Sequence, residues 1–183
     1  LLLNISTAQE VHLDSAWSMT IGGPNEEQAY DIQIDGPNGY IIAGFKATDG
    51  MSTEMDGYLL KINETGDTLW SKTYGSSSND RFRSVDNTYD GGYIMTGWTL
   101  SPVNDYELWL LKTDSIGNVL WDSSYGGTNG GLGYCVQQVS GGYVVSGENY
   151  GIYEDIPKKL IIQYYPTGGK MGLHIDNTGE RRQ

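Results

Sequence analysis

The chain is short of the residues that build metal and redox centres. Its 183 residues include one cysteine, Cys135, and two histidines, His12 and His174, near opposite ends. A lone cysteine excludes an internal disulfide framework and a CxxC redox or metal site. Two distant histidines without paired thiols leave no zinc set. Between Tyr134 and Val136 in a strand-like run, Cys135 is expected to be a buried structural thiol. Long apolar runs are missing too: no stretch of about 18 apolar residues occurs, so no transmembrane span is expected. Nor does any window carry the 3.6-residue period of an amphipathic helix. Bases are scarce, with 11 Lys and Arg against 23 Asp and Glu and a net charge of −12. Phosphate backbones need a basic stripe, so nucleic acid is not an expected partner. The acidity is uneven: residues 1–157 carry 21 acids and 6 bases, whereas residues 158–183 carry 2 acids and 5 bases.

What is abundant is glycine and tyrosine, 26 and 14 residues, in imperfect copies of one pattern. Leu108–Gly127 reads LWLLKTDSIGNVLWDSSYGG, and an earlier copy, Tyr58–Ser76, reads YLLKINETGDTLWSKTYGS. An apolar run closed by Lys61 or Lys112, a polar turn with Gly66 or Gly117, and a second strand beginning near Trp70 or Trp121 make a β-hairpin signal. Trp17, Trp70 and Trp121 are 53 and 51 residues apart, and the tyrosines of the Gly-Tyr pairs, Tyr40, Tyr93 and Tyr143, are 53 and 50 apart. Two markers with one period indicate a repeat array. Each unit offers four short strands joined by turn residues, the architecture of propeller blades. The YIIAGF, YIMTGW and YVVSGE strands are apolar on both faces, as a sheet between two neighbours requires. Asp90-Gly91-Gly92, Ser140-Gly141-Gly142 and Pro37-Asn38-Gly39 are expected to close hairpins needing positive φ. The small pairs Ala43-Gly44, Thr96-Gly97 and Ser146-Gly147 either let blades approach closely or mark bulges.

The fold expected is all-β: a β-propeller fragment or partial propeller of about three four-stranded antiparallel blades, at 17–69, 70–120 and 121–170 within 10–170. Residues 1–9 read as a signal-peptide remnant, apolar and then small up to Ala8. Residues 171–183 form an atypical tail or decayed repeat. Lys159–Tyr164 and Leu173–Gln183 compete for one slot of the third unit.

The DGGYIMTGW core, the WLLKTDSIGNVLW hairpin and the WSKTYG opening resemble the repeats of secreted bacterial β-propeller proteins, common among surface proteins that end in a type IX sorting domain. KTDSIGNVLW is more loosely similar to the Trp-docking hairpins of quinoprotein-type propellers. That resemblance implies a docking role between blades for Trp17, Trp70 and Trp121, and a secreted or cell-surface location. Three units fall short of the roughly four to eight blades of a closed ring. The array is therefore expected to meet further propeller blades or to self-associate, and the fragment reading is preferred.

The function expected is a non-catalytic extracellular scaffold or recognition module binding protein or glycan. Among the aromatics Tyr30, Trp98, Tyr106, Tyr150 and Tyr153 at loops and strand ends, Tyr106, Tyr150 and Tyr153 are the ligand-binding candidates. Trp98 and Trp109 are assigned to packing between blades, and Arg81 and Arg83 to pairing with local acids. No catalytic, cofactor or metal residue is assigned, although loop carboxylates such as Asp31, Asp35, Asp49, Glu54 and Asp56 leave room for bound calcium. The spacings Asp114–Gly117 and Gly117–Trp121 are each one residue longer than in a sialidase Asp-box. The alternative is an extracellular glycoside-type hydrolase with loop carboxylates or with its site in missing blades.

Overall fold

The computed structural model describes residues 18–48, 54–76, 79–100, 106–125, 130–149, 158–164, 174–175 and 181–182. The stretch 1–9, Trp17, Asp49, Tyr150 and Tyr153 lie outside the described residues. Strands β1 (Glu27–Ile34), β2 (Tyr40–Ala47), β3 (Met55–Ile62) and β4 (Thr68–Tyr74) form one antiparallel sheet in chain order. Strands β5 (Arg81–Asn87), β6 (Tyr93–Leu100), β7 (Tyr106–Thr113) and β8 (Val119–Tyr125) form a second. Strands β9 (Gly131–Val139), β10 (Gly142–Asn149) and β11 (Lys158–Tyr164) form a third, three-stranded among the described residues rather than four-stranded. Short strands β12 (His174–Ile175) and β13 (Arg181–Arg182) pair with each other. Of the two candidates for the third unit's slot, β11 is the one that pairs with β10.

This is an all-β fold of successive antiparallel blades. Helical structure among the described residues is one 3-10 turn at Gly36–Asn38, and none is long and apolar enough to cross a membrane. The sheets run one strand out of phase with units counted from the tryptophans. The strand bearing Trp70 or Trp121 pairs with the sheet before it. The reason is local. Asn63 Oδ1 accepts from the amides of Thr65 and Asp67, and Asp114 Oδ1 from those of Ile116 and Asn118. Such self-bonded turns close β3 onto β4 and β7 onto β8.

Burial follows from stacking. Tyr93–Trp98 of β6 are all buried, because sheets cover both faces, whereas Tyr40, Ile42 and Lys46 of β2 are only half-buried. Between the first two sheets Ile41, Leu59, Tyr74, Phe82, Val85, Met95, Trp109 and Leu111 form one core. Between the second and third, Ile94, Leu108, Leu110, Val136, Tyr143 and Val145 form another. The two periodic markers of the sequence meet across these junctions. Trp70 packs on Tyr93 with ring centres 6.0 Å apart, and Trp121 on Tyr143 at 6.1 Å.

Polar contacts link the first strands of the sheets. Asp31 Oδ2 accepts from Ser84 Oγ and Val85 N, each at 2.9 Å. Ser84 Oγ accepts from Val136 N, and Asp86 Oδ2 from Gln138 N at 2.7 Å. Cys135 corrects its sequence reading: it is exposed. It holds the position of Ser84 in the repeat, and β9 covers Ser84 whereas no described strand covers β9 on that side.

The mid-strand glycines serve bulges. Gly97 faces β5 where the register slips between Phe82 and Ser84, and a Cβ there would lie 1.8 Å from Arg81 O. Gly44 and Gly147 face equivalent slips. Close approach between sheets occurs instead at Gly57, where a Cβ would meet the Phe82 ring at 2.7 Å. Gly57→Ala is therefore expected to lower stability by about 1–2 kcal/mol through overpacking, measured by urea denaturation followed by circular dichroism.

Candidate functional site

The bulges set up the candidate site. In the second sheet the extra residue is Arg83, and in the first it is Tyr30. A bulge redirects a side chain that regular pleating would place elsewhere. Here it brings Arg83 against Tyr30, with the guanidinium carbon 4.3 Å from the ring centre, and 4.9 Å from that of Trp98. Arg81 stacks in parallel, 4.3 Å from Phe45 and 5.7 Å from Trp98, with Nη2 directed at Met55 Sδ. Tyr30 and Phe45 lie 5.9 Å apart. Tyr106 meets Trp98 edge-on at 6.3 Å and 85°. Two cations thus sit among four aromatic rings, spanning the junction of the first two sheets.

The expected pairing of Arg81 and Arg83 with local acids is not what the structure places there. Among the described residues, neither guanidinium forms an ion pair. Both Nε atoms are buried without a hydrogen-bond partner among those residues. Asp80, next in sequence to Arg81, is committed elsewhere, its Oδ2 accepting from Ser76 N at 2.7 Å. Stacking on ring faces stabilises a cation by about 0.5–2 kcal/mol, and it does not by itself satisfy the guanidinium N–H donors. Arginine presents those donors as a planar fork suited to carboxylates.

Tyr106, the candidate from the sequence that falls on described residues, is 43% exposed at the rim of this cluster. Trp98, assigned to packing, is 8% exposed and forms the wall shared by both arginines. Trp109, assigned likewise, is a core residue between the first two sheets. Trp70 and Trp121 lie away from the cluster, each against the core of the next sheet. Tyr30 and Arg83 were hard to weigh from sequence because a bulge is not written in either residue. The signal that pointed to it was the glycine repeated opposite, at 44, 97 and 147.

Asp35 and Asp90 have structural tasks. Lys61 Nζ lies 2.6 Å from Asp35 Oδ2 and donates to Tyr93 OH at 2.8 Å, while Tyr93 OH donates to Asp35 at 2.9 Å. Lys112, buried, lies 2.9 Å from Asp90 Oδ1. Burial pushes the Asp90 carboxyl up, but hydrogen bonds from Thr88, Lys112 and Gly92 outweigh it and bring the group down to about 2. Burial and then the Asp90 charge push the Tyr143 phenol up to about 12. Geometrically, the Arg–aromatic cluster presents ring faces and guanidinium forks, shapes suited to planar and anionic groups.

No protein-family model and no curated protein sequence matches the chain.

Proposed function

We propose that the chain is a non-catalytic extracellular recognition module, part of a β-propeller of the secreted bacterial kind its repeats resemble. It takes a protein or glycan ligand at the junction of its first two sheets. The observation that carries this reading is the pair of stacked arginines without an ion-pair partner among the described residues, beside the exposed ring of Tyr106. Rings offer stacking area for a sugar or an aromatic side chain. The guanidinium forks favour a ligand carrying a carboxylate or another planar anion.

The same reading calls for further blades or a second copy. The face of the first sheet that the second sheet does not cover exposes Ile32 and Ile34 at 55% and 71%, beside a groove lined by Met19, Ile21, Ile42 and Leu60. In the second sheet the corresponding face is covered.

The hydrolase alternative needs two carboxylates that a substrate reaches. Asp56 and Asp80 converge, but Asp80 is fully buried, which argues for a structural use. A glycan array probed with the folded chain is expected to show retention on acidic glycans, weakened at least about tenfold by Arg83→Ala, the loss of one charge-assisted contact. Retention that Arg83→Ala leaves untouched, or turnover of a glycoside panel abolished by one Asp or Glu change, overturns the reading.

A further inference from the structure

Against the first sheet lies a segment built like the end of a strand from another sheet. Residues 18–23 read SMTIGG and stand 53 positions before residues 71–76, SKTYGS, where β4 ends. The likeness extends to contacts. Gly23 N donates to Glu27 Oε1 at 3.0 Å, as Ser76 N donates to Asp80 Oδ2 at 2.7 Å. A Cβ on Gly22 would meet the Glu27 carboxylate, and one on Gly75 the Asp80 carboxylate. Residues 18–23 therefore meet the first sheet as the end of β4 meets the second. Yet β4 is hydrogen-bonded into its own sheet beside β3, whereas residues 18–23 pair with no strand among the described residues. The third sheet shows the converse. Its edge strand is β11, and no fourth strand pairs with β11 among the described residues.

The two junctions inside the molecule show what covers such a face. Ile32, Val85 and Val136 hold one place in the three sheets, opposite Ile42, Met95 and Val145. The amides of Val85 and Val136 donate to the preceding sheet, to Asp31 Oδ2 at 2.9 Å and Ser84 Oγ at 3.3 Å. No described sheet precedes the first, and Ile32 N turns to Oδ1 of its own neighbour Asp31, at 2.8 Å. The side chains follow suit: Val85 and Val136 are buried, and Ile32 is exposed beside the groove of Met19, Ile21, Ile42 and Leu60. On the third sheet, Cys135 holds the place of Asp31 and Ser84, and it is exposed. Charge agrees with joining these two ends. Residues 18–76 carry 9 acids and 3 bases, whereas residues 158–183, the stretch that β11 opens, carry 2 acids and 5 bases.

We infer that the open face of the first sheet takes the third sheet of a second copy of this chain, head to tail, and so repeats the internal junctions. Residues 18–23 of one copy then run beside β11 of the other as its fourth strand. Cys135 of that copy comes to Ile32 as Ser84 comes to Val136. Strand addition supplies main-chain hydrogen bonds, and the groove supplies apolar area. The contact is heterologous, because the two copies use different faces. It rests on the propeller part of the reading above and names the partner. It makes no use of ligand retention at Arg83.

The test is the solution mass of the whole chain by light scattering over roughly 1–100 µM, a span that reaches the weaker protein interfaces. The mass is expected to rise from one copy to two or more. Ile32→Asp and Cys135→Arg, both on exposed residues, should each weaken association at least about tenfold by placing a charge in an apolar contact. Both should keep the β-sheet circular dichroism. An equimolar mixture of the two variants should form a one-to-one pair, since each retains the face that the other has lost. A chain that stays monomeric at about 100 µM overturns the inference. So does association that either variant leaves unchanged; in Cys135→Arg that result would mean two first sheets meeting symmetrically. A mixture of the two variants that stays monomeric overturns it as well. Glycan retention through Arg83 is measured on the same material, so either reading can fail while the other stands.

Discussion

Phe82→Ala is expected to destabilise the protein by about 3–5 kcal/mol, the range for removing a large aromatic from a packed core. Phe82 is 0% exposed and lies at the centre of the first inter-sheet core. Its ring stacks on Trp109 at 4.8 Å and 19°, meets Tyr74 at 5.8 Å, and presses on Gly57 of the neighbouring sheet. Truncation removes those contacts, and the cavity cannot close without the two sheets sliding together. That movement is opposed by the hydrogen bonds of Asp31 to Ser84 and Val85. Since domains are stable by only about 5–15 kcal/mol, the loss would take much of the total. Urea denaturation monitored by tryptophan fluorescence measures it. Phe82→Leu keeps most of the volume and should cost only about 1 kcal/mol. Equal losses for the two variants would mean that the stack with Trp109 and the cavity do not set the cost. Phe82 lies between Arg81 and Arg83 on β5, so the alanine variant should also lose ligand retention.

The all-β reading was legible because its signals are short-range. Hairpin turns announce themselves: Gly91 and Gly141 have φ of 81° and 86°, at the turns where the sequence asks for positive φ. The double-sided apolar run of β6 told of a sheet between sheets, and Tyr93–Trp98 are buried accordingly. The phase of the blades was not legible. A repeat unit has no intrinsic start, and the tryptophan that punctuates it belongs to the strand closing one sheet while packing on the next. The candidate site was half legible. Tyr106 stood out as an aromatic at a strand end. The pairing of Arg83 with Tyr30 joins residues 53 positions apart through matching bulges, and a bulge shows in sequence only as an unexplained glycine on the opposite strand. Proximity along the chain suggested acids for Arg81 and Arg83. The sheet junction gave them rings instead, because Asp80 turns away toward Ser76 and Gly75.

The second large effect belongs to the triad of Lys61, Asp35 and Tyr93. Asp35→Asn is expected to cost about 3 kcal/mol, toward the low end for breaking a buried ion pair, because both side chains keep some exposure. The Lys61 and Asp35 side chains are 13% and 19% exposed, and the Tyr93 hydroxyl bonds to both. Removing the charge leaves the ammonium facing a phenol and an amide in a half-buried niche. The pH dependence has a definite sign. Burial lowers the Lys61 pKa, but the hydrogen bonds that its ammonium donates to Asp35 and Tyr93, together with their charges, outweigh it, and the net shift is upward. Burial is also the largest cause raising the Tyr93 phenol. A group whose folded pKa exceeds its unfolded value contributes stability that is complete below the unfolded pKa and lost as pH rises through the folded one. The reference values are about 10.4 for lysine and about 10 for tyrosine. The triad's contribution is therefore intact at neutral pH and declines only above about pH 10. Urea midpoints measured from pH 7 to 11 should stay level in the native protein until that limb and then fall. In Asp35→Asn the neutral midpoint should already be low and the alkaline fall shallower. The triad joins β3 and the β1–β2 turn of one sheet to β6 of the next, and Trp70 packs on the same Tyr93 ring. A neutral midpoint unchanged in Asp35→Asn would therefore assign the docking of the two sheets to apolar contact alone, with the tryptophan rather than the ion pair holding the junction.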